Sequence, residues 1–118
     1  MKGRKKRGIG LSYALAGLKA VFLTERNFRI HLLAMIIVIT LGLILQVNKL
    51  EWFMLILVIG FVLVAEMFNS VIEGLIDYIK PDIHPEAKRI KDMAAGAVLI
   101  TAIVSVIVGC MIFIPKLF

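Results

Sequence analysis

The chain has a single cysteine, Cys110, set in an apolar run, which excludes an internal disulfide, a cysteine-based metal site and thiol redox chemistry. Its two histidines, His31 and His84, have no partner at metal-ligand spacing, so a zinc reading fails too. No G-x-x-x-x-G-K-[ST] loop is present, and Gly8-Ile9-Gly10 is too short to cradle a phosphate; any nucleotide is bound by other means. A G-x-S-x-G nucleophile elbow is missing as well, which argues against a hydrolase. Acidic side chains are few, with eight Asp and Glu against 14 Lys and Arg, for a net charge of +6.

Hydrocarbon is what the chain has in abundance. Hydrophobic residues make up 61% of it and the mean hydropathy is +0.99, against roughly 45–50% apolar content in soluble domains. With 118 residues this reads as one all-α integral-membrane domain covering residues 1–118. Leu11, Leu15, Leu18 and Phe22 recur at helical spacing with Ser12 and Lys19 off that line, which predicts an amphipathic surface helix over residues 9–28. Polar residues at 24–29 let the chain turn into the bilayer, and three membrane helices follow at 30–47, 52–78 and 88–114. His31, at the entry to the first span, reads as an interfacial residue. Asn48-Lys49-Leu50-Glu51 allows only a tight reversal, Trp52 and Phe53 read as an aromatic belt, residues 78–92, with Pro81 and Pro85, as a solvated loop whose last part, 86–92, can begin the next helix ahead of the bilayer, and Pro115 as the end of the last span. The first stretch carries Ser12, Lys19, Glu25, Arg26 and Arg29, so it lacks the continuous apolar region of a signal peptide.

Lys and Arg number eight in residues 1–29 and four in residues 80–91, against one in the 48–51 turn and one near the C-terminus. The positive-inside rule then places the N-terminus and the 78–92 loop in the cytoplasm and the C-terminus outside, as expected of a multi-pass plasma-membrane protein. The five positive charges of residues 2–7 read as an anchor to anionic headgroups rather than a nucleic-acid arm.

Against this background residues 65–77 stand out, because Glu66, Asn69, Ser70, Glu73 and Asp77 fall on one helical face about 100° wide. An ionisable group at the bilayer centre costs about 2.5–3.5 kcal/mol on insertion scales, so carboxylates gathered on one face mark a working site. Glu66 lies at membrane depth, Glu73 at the cytoplasmic boundary and Asp77 beyond it. The seven residues between the two glutamates span about 10.5 Å, too far to share one ion or proton, so they need separate tasks. A submerged carboxylate can take a proton from a hydroxyl presented at its own depth, whereas one at the wet edge can hold Mg²⁺ beside phosphate oxygens. Glu25, at a similar depth to Glu73, can supply a second carboxylate or pair with Arg26 or Arg29. Lys91-Asp92 can touch phosphate or simply flank a membrane helix. Asn69 and Ser70 equally suit hydrogen bonding between packed helices.

Ala65-Glu66-Met67-Phe68-Asn69-Ser70-Val71-Ile72-Glu73, then Asp77 and Lys91-Asp92-Met93-Ala94-Ala95-Gly96, resembles the prokaryotic diacylglycerol kinase family of small integral-membrane lipid kinases. The resemblance covers nearly the whole chain and implies a surface helix plus three membrane helices in a homotrimer with sites shared between subunits. It implies Glu66 as catalytic base and Glu25 with Glu73 as ligands of Mg²⁺, for which Mn²⁺ can substitute. It implies contacts to the co-substrate ATP from Lys6, Tyr13, Glu25, Glu73, Lys91 and Asp92, and to the lipid from Ser12, Glu66, Asn69 and Ala95. Lys6 stands where the better-known Gram-negative members carry Arg, and residues 81–86 differ from theirs. Thr24-Glu25-Arg26-Asn27-Phe28, Ala-Ala-Gly-Ala-Val and the Phe-Ile-Pro-Lys-Leu ending resemble the Gram-positive branch, whose members act mainly on undecaprenol. Phosphorylation of undecaprenol is therefore the expected activity, with diacylglycerol as the alternative acceptor. A small proton-coupled transporter and a structural membrane subunit are the rivals from other classes; both also place polar groups inside a membrane helix.

Overall fold

The computed structural model describes residues 9–82 and 84–118. They form four helices, α1 (Ile9–Thr24), α2 (Arg26–Ile44), α3 (Lys49–Ile79) and α4 (Pro85–Leu117). The last three are long and apolar enough to cross a membrane, and the chain is a multi-pass membrane protein.

Each junction has a local cause. Glu25 is the single extended residue between α1 and α2, at φ −112° and ψ 109°. The Arg29 guanidinium donates from Nη1 to the carbonyl oxygens of Phe22 (2.7 Å) and Leu23 (3.2 Å), placing a cation on carbonyls that α1 leaves unpaired. At the end of α2, Gln46 takes the left-handed conformation at φ 55°, and the Val47 N–H donates to the Gly42 carbonyl at 3.1 Å. This six-to-one bond is a Schellman cap, with buried Val47 closing it against the core. Asn48 then starts α3 through a reciprocal capping box. Its Oδ1 accepts from the Glu51 N–H at 2.8 Å, while Glu51 Oε1 accepts from the Asn48 N–H at 2.9 Å. At the head of α4, His84 Nδ1 accepts from the Glu86 N–H at 3.1 Å and Pro85 occupies the first helical position, where its missing N–H costs nothing.

Several expected boundaries move. The 9–28 surface helix ends at Thr24, because Glu25 breaks it, and the first membrane helix begins at Arg26 and stops at Ile44 rather than 47. The 52–78 helix starts earlier, at Lys49, under its capping box. The 88–114 helix gains a turn at its start from the His84 and Pro85 cap, and continues through Pro115 to Leu117. Residues 78–92 are therefore mostly helix, with only 80–84 between α3 and α4.

The longest packed seam joins antiparallel α3 and α4. On α4, the line 87, 91, 94, 98, 101, 105, 108 and 112 is withdrawn from solvent throughout, at a steady heptad spacing, with 96, 102, 109 and 113 widening it. Ala87, Ala94 and Ser105 keep that seam narrow, so the helices approach closely, and Ser105 Oγ reaches the Val58 carbonyl at 3.4 Å. The apolar core, built on Val47, Leu55, Ile112 and Phe113, sits at the end that holds the α2–α3 turn. Trp52 packs on Gly42 there instead of joining Phe53 as an exposed belt. Glu51 Oε1 and Lys116 Nζ, 3.1 Å apart, tie the two helix ends together.

Along α1, Leu11, Leu15, Leu18 and Phe22 all remain exposed and, among the described side chains, only Val21 is buried, so the chain's own bundle does not cover the apolar line of that helix.

Candidate functional site

At about 1.5 Å per residue, the 31 residues of α3 are about 46 Å long, well beyond the ~30 Å of hydrocarbon in a bilayer. The apolar core lies at one end of that length, and the excess, with the partner stretch of α4, forms a polar overhang at the other. The expected stripe runs along α3 into this overhang.

Glu66 is 2% exposed, on the same heptad line of α3 as buried Leu55, Val62 and Asn69. Across from it on α2, His31 Nε2 lies 3.2 Å from Glu66 Oε2. One turn along, Asn69 is 7% exposed and its Oδ1 meets no hydrogen-bond donor among the described residues; the same is true of Ser70 Oγ. A buried amide oxygen without a donor costs about 1–3 kcal/mol, a cost that a hydrogen-bond donor supplied from outside the chain would relieve.

Two turns beyond Glu66, Glu73 lines a polar cavity of about 450 Å³ in the overhang, walled also by Asp77, Lys88, Lys91, Asp92 and Ala95. Lys91 Nζ is 2.6 Å from Asp77 Oδ1, and Glu73 adds a second negative charge to its surroundings. Asp92 is taken by Lys88, 2.6 Å away one turn earlier on α4. Among the described residues no three or more His, Cys, Asp or Glu side chains cluster at ion-binding distance. Magnesium does not need such a cage, since it is held by one or two carboxylates with substrate phosphates completing the shell. Glu73 in a cavity with Asp77 and Asp92 fits that requirement. A second cavity of about 430 Å³, almost wholly apolar, runs between α2, α3 and α4, with His31, Met35, Val62, Val106 and Phe113 among its walls.

The fold thus brings Glu73, Lys91, Asp92 and Ala95 into one cavity and buries Asn69 and Glu66 about one and two turns earlier on α3. It does not bring Ser12, Tyr13 or Glu25 into that cavity. Lys6 lies outside the described residues. Glu25, half-buried, makes no ion pair with Arg26 or Arg29 among the described residues; Arg29 is engaged on α1 instead. Sequence reasoning missed the contact of His31. Its position on α2, nearly two turns after the Glu25 break, is the available signal, and only the packing of α2 on α3 turns that position towards Glu66.

Three membrane-length helices with a buried carboxylate that opens, two turns on, into a charged cavity define a small membrane enzyme working at the lipid boundary. Residues 12–113 match the family described as prokaryotic diacylglycerol kinase, and the chain belongs to that family. It is a lipid kinase. It is 43% identical over 94 residues to the undecaprenol kinase of Bacillus subtilis, an alignment covering 80% of this chain and 76% of that one. It is 38% identical over 110 residues to a diacylglycerol kinase of Synechocystis, covering 92% of this chain and 63% of the relative. The Escherichia coli diacylglycerol kinase is 34% identical over 100 residues, covering 85% and 82%.

Proposed function

We propose that this chain phosphorylates undecaprenol with ATP and Mg²⁺ to give undecaprenyl phosphate. The observation that carries the reading is the pairing on one α3 face of buried Glu66 with Glu73 at the charged cavity, about 10.5 Å apart along the axis. A lipid alcohol and a water-borne triphosphate can meet only across such a graded edge. The choice of acceptor is supported by the 43% identity to the Bacillus subtilis enzyme, against 38% and 34% to the two diacylglycerol kinases.

In this mechanism the lipid hydroxyl lies at the depth of Glu66 and Asn69, with Ser12 and Ala95 flanking it. Glu66 takes the hydroxyl proton as the oxygen attacks the γ-phosphorus; the new O–P bond forms while the β,γ-bridging P–O bond breaks and its electron pair leaves with ADP. Lys91, Asp92, Tyr13 and Lys6 orient the nucleotide, and the acceleration comes from positioning and charge neutralisation rather than covalent catalysis. Glu73 and Glu25 would hold Mg²⁺, or Mn²⁺ in its place, which neutralises charge on the phosphates when bound.

Glu25 sits at the break before α2 and does not line the cavity of its own chain, which supports a homotrimer whose sites combine α1 and the Glu25 junction of one subunit with α3 and α4 of another. The uncovered apolar line of α1 then lies on the membrane surface or on a neighbour. The N-terminus and the 80–84 connection face the cytoplasm and the C-terminus faces outward.

The test is transfer of label from γ-labelled ATP, with Mg²⁺, to undecaprenol and to diacylglycerol in parallel vesicles. Faster labelling of undecaprenol is expected. Preference for diacylglycerol reverses the substrate assignment, and no labelled lipid from either sinks the reading.

A further inference from the structure

Glu66 acts in the mechanism above as a base, but a carboxylate on a flexible side chain in an apolar setting needs something to hold its charge and its direction. Its surroundings on α3 are apolar apart from Asn69 and Ser70, whose buried oxygens Oδ1 and Oγ have no donor among the described residues. The polar group that reaches it from another element is His31 of α2, with Nε2 at 3.2 Å from Oε2. The imidazole is 25% exposed where the carboxylate is 3%, and its ring also lines the apolar cavity between α2, α3 and α4. His31 therefore borders both Glu66 and that apolar cavity.

We infer that His31 is the positioning residue of the base: Nε2–H donates to Glu66 Oε2, leaving Oε1 free to face the acceptor hydroxyl. The direction follows from the chemistry, since an ionised carboxylate can only accept and a ring nitrogen facing it must carry the hydrogen. This holds for the neutral Nε2–H tautomer and for the imidazolium alike. A second carboxylate oxygen pinned in this way fixes the remaining one to the angle the hydroxyl needs, and misplacement by about 1 Å is enough to lose up to about 100-fold in rate. His31 touches neither nucleotide nor phosphate in this arrangement, so its effect falls on turnover and not on ATP affinity.

The inference rests on Glu66 as the base, and the experiment separates the two. Gln carries its amide nitrogen at the place of His Nε2, whereas Asn carries it at the place of Nδ1, so the same functional group can be offered at the right or the wrong reach. His31→Gln is expected to keep kcat within about threefold of the parent, and His31→Asn to lower it about 10- to 100-fold, with KM for ATP unchanged in both. Combining His31→Asn with Glu66→Asp should add little to the loss that Glu66→Asp alone causes, because a positioning residue has nothing left to position.

Equal kcat for the Asn and Gln variants overturns the proposal, as does full additivity in the double variant. If His31→Asn does not assemble in the membrane, the apolar His31→Phe takes its place in the same comparison. If neither assembles, a His31→Gln variant that assembles but loses turnover overturns the proposal and one that keeps it supports it. Turnover by Glu66→Gln would remove the base assignment while leaving the His31 and Glu66 coupling to be read from the cycle.

Discussion

A carboxylate withdrawn from water at membrane depth is an expensive side chain, and replacing Glu66 by the isosteric amide keeps its volume while removing its ability to take a proton. Glu66→Gln is expected to lower turnover by about 10²–10⁴-fold, the range general-base groups supply. Nucleotide binding, which belongs to the cavity two turns away, should be nearly unchanged when followed by titration with a fluorescent ATP analogue. Gln46 carries a different cost. It holds φ 55° so that Val47 can cap α2, and a left-handed residue other than glycine gives up about 1–2 kcal/mol. Gln46→Gly should therefore raise the denaturation midpoint in mixed detergent by an amount equivalent to as much as about 1 kcal/mol, with activity unaltered. A lower midpoint would mean that the Gln46 side chain contributes more than its backbone loses.

Between helices, packing decides what charge does not. The pairs Lys88 with Asp92, Arg89 with Glu86 and Lys91 with Asp77 all lie in the exposed overhang, where solvent screens such pairs and each adds little to stability. The α3–α4 seam holds mainly through close approach at small residues such as Ala87 and Ala94. The α2–α3 hairpin depends on Gly42 in the same way, because a Cβ there would stand 2.7 Å from Trp52 Cη2, with two more ring atoms within 3.2 Å. Gly42→Ala is expected to destabilise the fold by about 1–3 kcal/mol, read from the same denaturation, and Trp52→Leu in that background should recover part of it.

The number and order of these helices were legible in the sequence because hydropathy and the acidic stripe have clear periods. Proline marks helix edges without fixing them: Pro85 opens α4 at a position whose N–H needs no partner, while Pro115 lies inside the last turn and leaves the Met111 carbonyl without its intrahelical donor. The site was half legible. Glu66, Asn69 and Glu73 share one helix, whose period reveals them. His31 meets Glu66 only through the packing of two helices, a relation that no spacing within one segment encodes.

The whole molecule leaves Glu25, like Ser12 and Tyr13, away from the cavity it would serve, and this makes subunit mixing informative. In a ring of three with sites shared between neighbours, co-assembling Glu25→Gln and Glu66→Gln chains in equal amounts should restore about a quarter of the sites, since each site then needs one intact residue from either kind of chain. No recovery above the separate variants would place every site within a single subunit.

The overhang of α3 and α4 has a last consequence. Because continuous helix joins buried Glu66 to the charged cavity, their separation is set by a rod and cannot adjust, whereas the depth of that rod depends on the thickness of the host membrane. Fatty-acyl length should then act as a tuning variable: in vesicles of graded chain length, phosphorylation should pass through a maximum where the headgroup plane falls between Glu66 and Glu73, and decline on either side as the bilayer immerses one carboxylate too deeply or lifts the other clear.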